Sequence, residues 1–89
     1  MPYYSIAVEY PAEAADKCGA TEKLKQVGFV YKVYDPMTRE FKDKDGPKAG
    51  LMALFLMNVM TLDMAREPLE AIFDIKLKPV GFRCTQIFE

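Results

Sequence analysis

The longest apolar run in the chain, Ala49 to Leu62, is broken only by Asn58 and Thr61. It is too short to cross a bilayer as a helix, so it has to be covered within the fold or by a partner. An 89-residue chain has room for a single core, and residues 1–89 are therefore read as one domain. Asp45 ahead of Gly46-Pro47 has the chemistry of a helix start, because its carboxylate can accept orphan N–H groups and Pro47 lacks a donor. The spacing then predicts a second helix from Pro47 to Met64.

On a helical wheel this segment has two apolar sides. Leu51, Phe55, Val59 and Leu62 form one, and Ala49, Ala53, Met57, Met60 and Met64 form another nearly opposite. A helix lying on one side of a sheet can bury one side only. The larger, stiffer Leu/Phe side is assigned to the core and the adaptable Met/Ala side to a second surface. With Leu56, the methionines would expose a patch on the order of 400 Å². Burying it gives roughly 10 kcal/mol of gross drive before the opposing costs of association. Ala53, Leu56, Met57, Met60 and Met64 are thus the expected partner-binding residues, with a homodimer as the simplest assembly. The alternative is cover from within the chain, by the first helix, the segment 63–70 or the long loop.

Upstream, Tyr4, Ile6 and Val8 alternate with Ser5, Ala7 and Glu9 as in a strand ending at Pro11. Ala12 to Val27 reads as a helix that is kinked or starts late, because Gly19 separates two apolar sides. Gly28 ends it, Phe29 to Tyr34 alternates as a second strand, and Met37 to Lys42 returns as a short third one after the Asp35-Pro36 turn. Pro68 predicts a helix break near Arg66. Phe73, Ile75 and Leu77 alternate with Asp74, Lys76 and Lys78 as a strand, and Pro79-Val80-Gly81 turns it into a last strand, Phe82 to Phe88. This order predicts an α+β fold: a ferredoxin-like two-layer sandwich, βαββαβ with an extra C-terminal edge strand, its mainly antiparallel sheet carrying helices on one face.

Charge and composition remove several chemistries. Twelve Lys and Arg against thirteen Asp and Glu leave a formal charge of -1, so no general attraction to nucleic acid or an anionic membrane is expected. There is no histidine, and the two cysteines, Cys18 and Cys84, lie far apart, which excludes a Cys/His zinc arrangement and a His-based triad. The cysteines read as ordinary thiols, and with no secretory leader in the first thirteen residues a cytoplasmic protein is expected. Asp45-Gly46-Pro47 lacks the glycines and the Lys-Ser/Thr pair of a phosphate loop, and Asp43 with Asp45 does not complete a calcium loop.

Ile6-Ala7-Val8-Glu9-Tyr10-Pro11, the step Leu24-Lys25-Gln26-Val27-Gly28-Phe29, and Ile72-Phe73-Asp74-Ile75-Lys76 carry a resemblance. In this pattern the chain resembles virulence-associated protein D and the related CRISPR adaptation nucleases. The resemblance implies a ferredoxin-like dimer, endoribonuclease activity, and a carboxylate pair near the dimer axis holding a divalent metal. Glu9 takes the place of the family's first-strand aspartate, one methylene longer, and Tyr31-Lys32-Val33-Tyr34 replaces a polar Gln-Ser step.

Lys76, Lys78 and Arg83 concentrate positive charge near the C-terminus, where exposed Tyr3, Tyr10 or Tyr34 would stack on RNA bases. Lysines alternating with apolar residues equally describe a protected edge strand. The reading that results is a small, non-catalytic interaction or regulatory protein without a cofactor. It self-associates or docks a protein partner, in the manner of a phage-, plasmid- or cassette-encoded regulator or toxin–antitoxin component. The alternative is a metal-dependent endoribonuclease with Glu9 as its acidic centre.

Overall fold

The computed structural model describes residues 2–88. Its elements in chain order are β1 (Tyr3–Pro11), α1 (Ala12–Lys17), α2 (Ala20–Gln26), β2 (Val30–Tyr34), β3 (Phe41–Lys42), β4 (Met52–Val59), α3 (Leu62–Asp74) and β5 (Gly81–Ile87). The five strands form one sheet in the order β3-β2-β4-β1-β5, and every neighbouring pair is antiparallel. With three helices added, the architecture is α+β and compatible with a two-layer sandwich.

The first third of the chain follows its local chemistry. Ile6, Val8 and Tyr10 of β1 are fully buried while their neighbours are only half-buried, the period-two pattern of a strand. The helical stretch after Pro11 breaks where Gly19 takes a φ of 80°, dividing it into α1 and α2. Gly28, at φ 107°, reverses the chain after α2, and a Cβ there would approach Met57 Cε at 3.3 Å.

The segment predicted as the second helix is strand β4. It lies between β1 and β2, with Val8↔Phe55↔Tyr31 and Ala7↔Leu56↔Val30 aligned across the three strands. An apolar run of this length carries no period that separates a short helix from a strand buried on both sides. Backbone pairing to two neighbours overrides the helix propensity of its Met, Ala and Leu residues. Asp45 caps no helix. The preceding segment is a turn in which Asp43 Oδ1 accepts from the Asp45 N–H at 2.9 Å. Lys48 anchors that segment to α1 through an ion pair with Asp16, whose other oxygen accepts from Thr21 Oγ1 at 2.8 Å. Burial acts to raise the Asp16 pKa, but the bonds from Lys48 and Thr21 and the lysine charges outweigh it and hold the carboxyl below its ordinary value.

Four further expectations are corrected. Pro68 lies inside α3 rather than ending a helix near Arg66. Its ring is buried along with Ala65, Ala71 and Ile72, and this packing offsets an interior-proline cost of about 3 kcal/mol. The helix starts at Thr61, whose side chain accepts from the Met64 N–H at 3.2 Å. Phe73 and Asp74 are its last residues, so the predicted strand 73–78 is instead a helix end and a loop in which Ile75 and Leu77 pack against the core. The C-terminal hairpin is absent for the same reason. β5 pairs with β1 over Tyr3↔Ile87 to Glu9↔Gly81, and the added short strand is β3 at the other edge, not a strand at the C-terminus.

The core lies on one face of the sheet. Tyr10, Phe55, Ile6, Leu24, Val8 and Val33 are its largest fully buried side chains, and Ala12, Ala15, Ala20, Ala65, Ala71 and Ile72 close it from the helices. Phe55 stacks on Tyr31 at a centroid distance of 5.1 Å and meets Tyr10 edge-on at 6.2 Å. Phe55→Ala is therefore expected to destabilise the fold by about 3 to 5 kcal/mol, as checked by urea unfolding. A loss under 1 kcal/mol would contradict a central place for this ring.

Candidate functional site

The residues expected to form one partner-binding patch are dispersed by the strand geometry. Ala53 is fully buried under the helices, and Met57 on the same side of β4 packs against the core. Leu56 points to the opposite, helix-free face of the sheet, where it is half-buried. Met60 and Met64 are exposed, one after the end of β4 and the other in the first turn of α3. Lys76 and Lys78 are exposed in the loop between α3 and β5, whereas Arg83 stands on β5 opposite Ala7. The three cations thus do not form one hairpin. Tyr10 is buried and cannot stack on a base, while Tyr3 and Tyr34 are half-buried on the helix-free face.

That face carries the surplus apolar surface. The registers align Val30, Leu56 and Ala7 with Arg83 in one row, and Lys32, Leu54 and Glu9 with Gly81 in the next. Met52, Leu54 and Leu56 are half-buried there, and Val30 is 58% exposed. A strand solvated on one side normally alternates apolar with polar residues, whereas a strand covered on both sides reads as a continuous apolar run. β4 reads Met-Ala-Leu-Phe-Leu-Met-Asn-Val, the second pattern, and the helices cover one side only.

At one end of this face Glu9 is the centre of a polar constellation. The Tyr34 hydroxyl donates to Glu9 Oε2 at 2.9 Å. Burial and then this bond push the Tyr34 pKa above its ordinary value. Glu9 and Tyr34 line a cavity of about 420 Å³ with Pro36, Arg39, Phe41 and Leu54, a volume within the range of small-molecule sites. On its other side Glu9 borders a smaller cavity of about 240 Å³ with Ala7, Gly81, Phe82 and Arg83. Among the described residues, Glu9, Arg39 and Arg83 enter no ion pair.

Arg39 reaches this cavity from the tip of the β2–β3 hairpin, where it is the single non-glycine residue with positive φ, 63°. The tip is closed by its own backbone. Asp35 N–H donates to the Glu40 carbonyl at 2.9 Å, Arg39 N–H donates to the Asp35 carbonyl at 2.6 Å, and Asp35 Oδ1 accepts from the Met37 N–H at 2.8 Å. A left-handed arginine costs on the order of 1 kcal/mol, and the closed tip holds it in place. Sequence reasoning singled out Glu9 and Tyr34 separately but missed Arg39. Its one signal was the turn chemistry of Asp35-Pro36 beside it.

Among the described residues, Glu9 is the only carboxylate lining either of the two cavities it borders. No group of three His, Cys, Asp or Glu side chains suited to a metal occurs among the described residues, and the single carboxylate of Glu9 is bordered by the guanidinium-bearing side chains of Arg39 and Arg83. No helix among the described residues is long and apolar enough to cross a membrane. No protein-family model, curated protein or solved structure matches the chain.

The Tyr34–Glu9 bond has a pH signature. A raised phenol pKa gives stability that is fully present below the unfolded value of 10.0 and is lost as pH rises through the folded value. Tyr34→Phe should cost about 1 kcal/mol at neutral pH. Its deficit against the parent should shrink above about pH 10, as followed by urea unfolding across the alkaline range. A deficit that stays constant would show that the bond does not favour the neutral phenol.

Proposed function

We propose that the protein is a small non-catalytic interaction protein that pairs with a second copy of itself through the helix-free face of its sheet. The observation that carries this reading is β4, a central strand apolar on both sides with intramolecular cover on one. The surface differs from the Met/Ala helix side predicted above, because Ala53 and Met57 belong to the core face. Val30, Leu56, Ala7 and Met52 take its place.

The dimensions favour a second copy as the occupant. Four strands, β2, β4, β1 and β5, side by side make a surface of roughly 19 Å by 25 Å. That is about 475 Å² in projection, and side-chain relief brings it towards the ~600 Å² per partner at the lower end of specific interfaces. A two-fold contact needs the same patch on both copies, and the Val30, Leu56 and Ala7 centre of this face offers an apolar patch that can meet its own image. The strand order β5-β1-β4-β2 and the helix-bearing face support a ferredoxin-like arrangement with β3 as an added edge strand. The free, exposed thiols of Cys18 and Cys84 suit a reducing, cytoplasmic setting.

The test is sedimentation of the purified chain beside a Val30→Asp/Leu56→Asp variant. The parent should sediment as a dimer at micromolar concentration. The variant should be monomeric with an unchanged circular dichroism spectrum, because an unpaired charge is costly in an apolar interface. A parent that stays monomeric at high micromolar concentration overturns the reading. So does metal-dependent RNA cleavage that Glu9→Gln abolishes, which would establish the nuclease alternative in its place.

A further inference from the structure

Glu9 and Arg39 bring opposite charges to one cavity without neutralising each other. Both line the space of about 420 Å³, yet among the described residues neither enters an ion pair. The carboxylate is oriented: Tyr34 O–H donates to Oε2 at 2.9 Å, which leaves Oε1 free to accept from a ligand. The guanidinium is delivered by a hairpin tip whose backbone is closed on Asp35. The rest of the lining besides Tyr34 is apolar: Pro36, Phe41 and Leu54.

A ligand matching all three features carries a cation for Glu9, an anion for Arg39 and an apolar body between the walls. A simple amine or a simple anion uses one charge and leaves the other in place. We propose that this cavity binds a free α-amino acid with an apolar side chain, its ammonium donating to Glu9 Oε1, its carboxylate accepting from Arg39, and its side chain against Leu54 and Phe41. Planar guanidinium recognition of a carboxylate is bidentate and directional, which suits the fixed tip. The cavity shares Leu54 with the face proposed for self-association, and its occupancy is read from ligand-induced shifts and not from oligomeric state, so either proposal can fail alone.

The experiment is a ¹⁵N–¹H correlation titration of the full chain with L-leucine, with N-acetyl-L-leucine and L-leucinamide as arms that each lack one charge. L-Leucine should shift the amides of Tyr34, Arg39 and Leu54. Each blocked derivative should bind at least about tenfold more weakly, as a site built for a charged group rejects the analogue lacking it. Glu9→Gln keeps an acceptor for Tyr34 but removes the charge. Arg39→Gly removes the guanidinium at a φ that glycine adopts freely, so its fold is retained. Both should weaken L-leucine binding about tenfold or more. Absence of shifts up to about 20 mM L-leucine, equal binding of either blocked derivative, or full binding by Arg39→Gly each overturns the proposal.

Discussion

The insertion of β4 between β1 and β2 holds the rest of the structure in place. Through this strand the first third of the chain meets the middle, with eight residue pairs to β1 and five to β2. Its inward side chains Ala53, Phe55 and Val59 are the floor on which the helices pack. The small helical residues Ala12, Ala15, Ala20, Ala65 and Ala71 are also buried, so the helices approach the sheet closely and the large side chains of the core come mainly from the strands. With Phe55 fully buried between Tyr31 and Tyr10, the aromatic cluster joins all three central strands in a single packing unit.

Placing an apolar strand at the centre of a two-layer fold has a cost on the reverse side. The side chains that alternate with Ala53 and Phe55 are Met52, Leu54 and Leu56, and a strand cannot turn them inward without losing its register. The charged residues that do occupy this face stand on other strands, Lys32 on β2, Glu9 on β1 and Arg83 on β5. Polar function is thereby pushed to the periphery of an apolar centre, and Glu9 meets Tyr34 and Arg39 where β1 ends and the hairpin begins.

Where local chemistry decides the structure, the sequence was readable. β1 alternates cleanly and stops at Pro11, Gly19 divides the first helical stretch, and β2 follows Gly28. It was misleading where two periods fit the same residues. The run into Val59 has apolar residues at every spacing, so a wheel and a strand both find two sides in it, and only partners distant in sequence select the strand. Phe73, Ile75 and Leu77 alternate by chance across the end of α3. The Glu9 constellation was half legible: an acid near the end of a strand can be seen, but its bond to Tyr34 spans 25 positions, and Arg39 joins it only because the hairpin folds back. The two sides drawn on the wheel collapse into one, since Ala53 and Met57 share the core face with Phe55 and Val59, and the second apolar side of the strand is Met52, Leu54 and Leu56 instead.

The two margins of the sheet are unlike. On one side β3 is only two residues long, and on the other β5 offers seven residues, without proline or lysine, whose outer backbone pairs with no strand among the described residues. Short strands, prolines and lysines are the usual means of blunting such a margin, so lateral growth of the sheet is open in one direction only. The sheet is thus asymmetric at its margins, with the β5 border the one suited to strand addition.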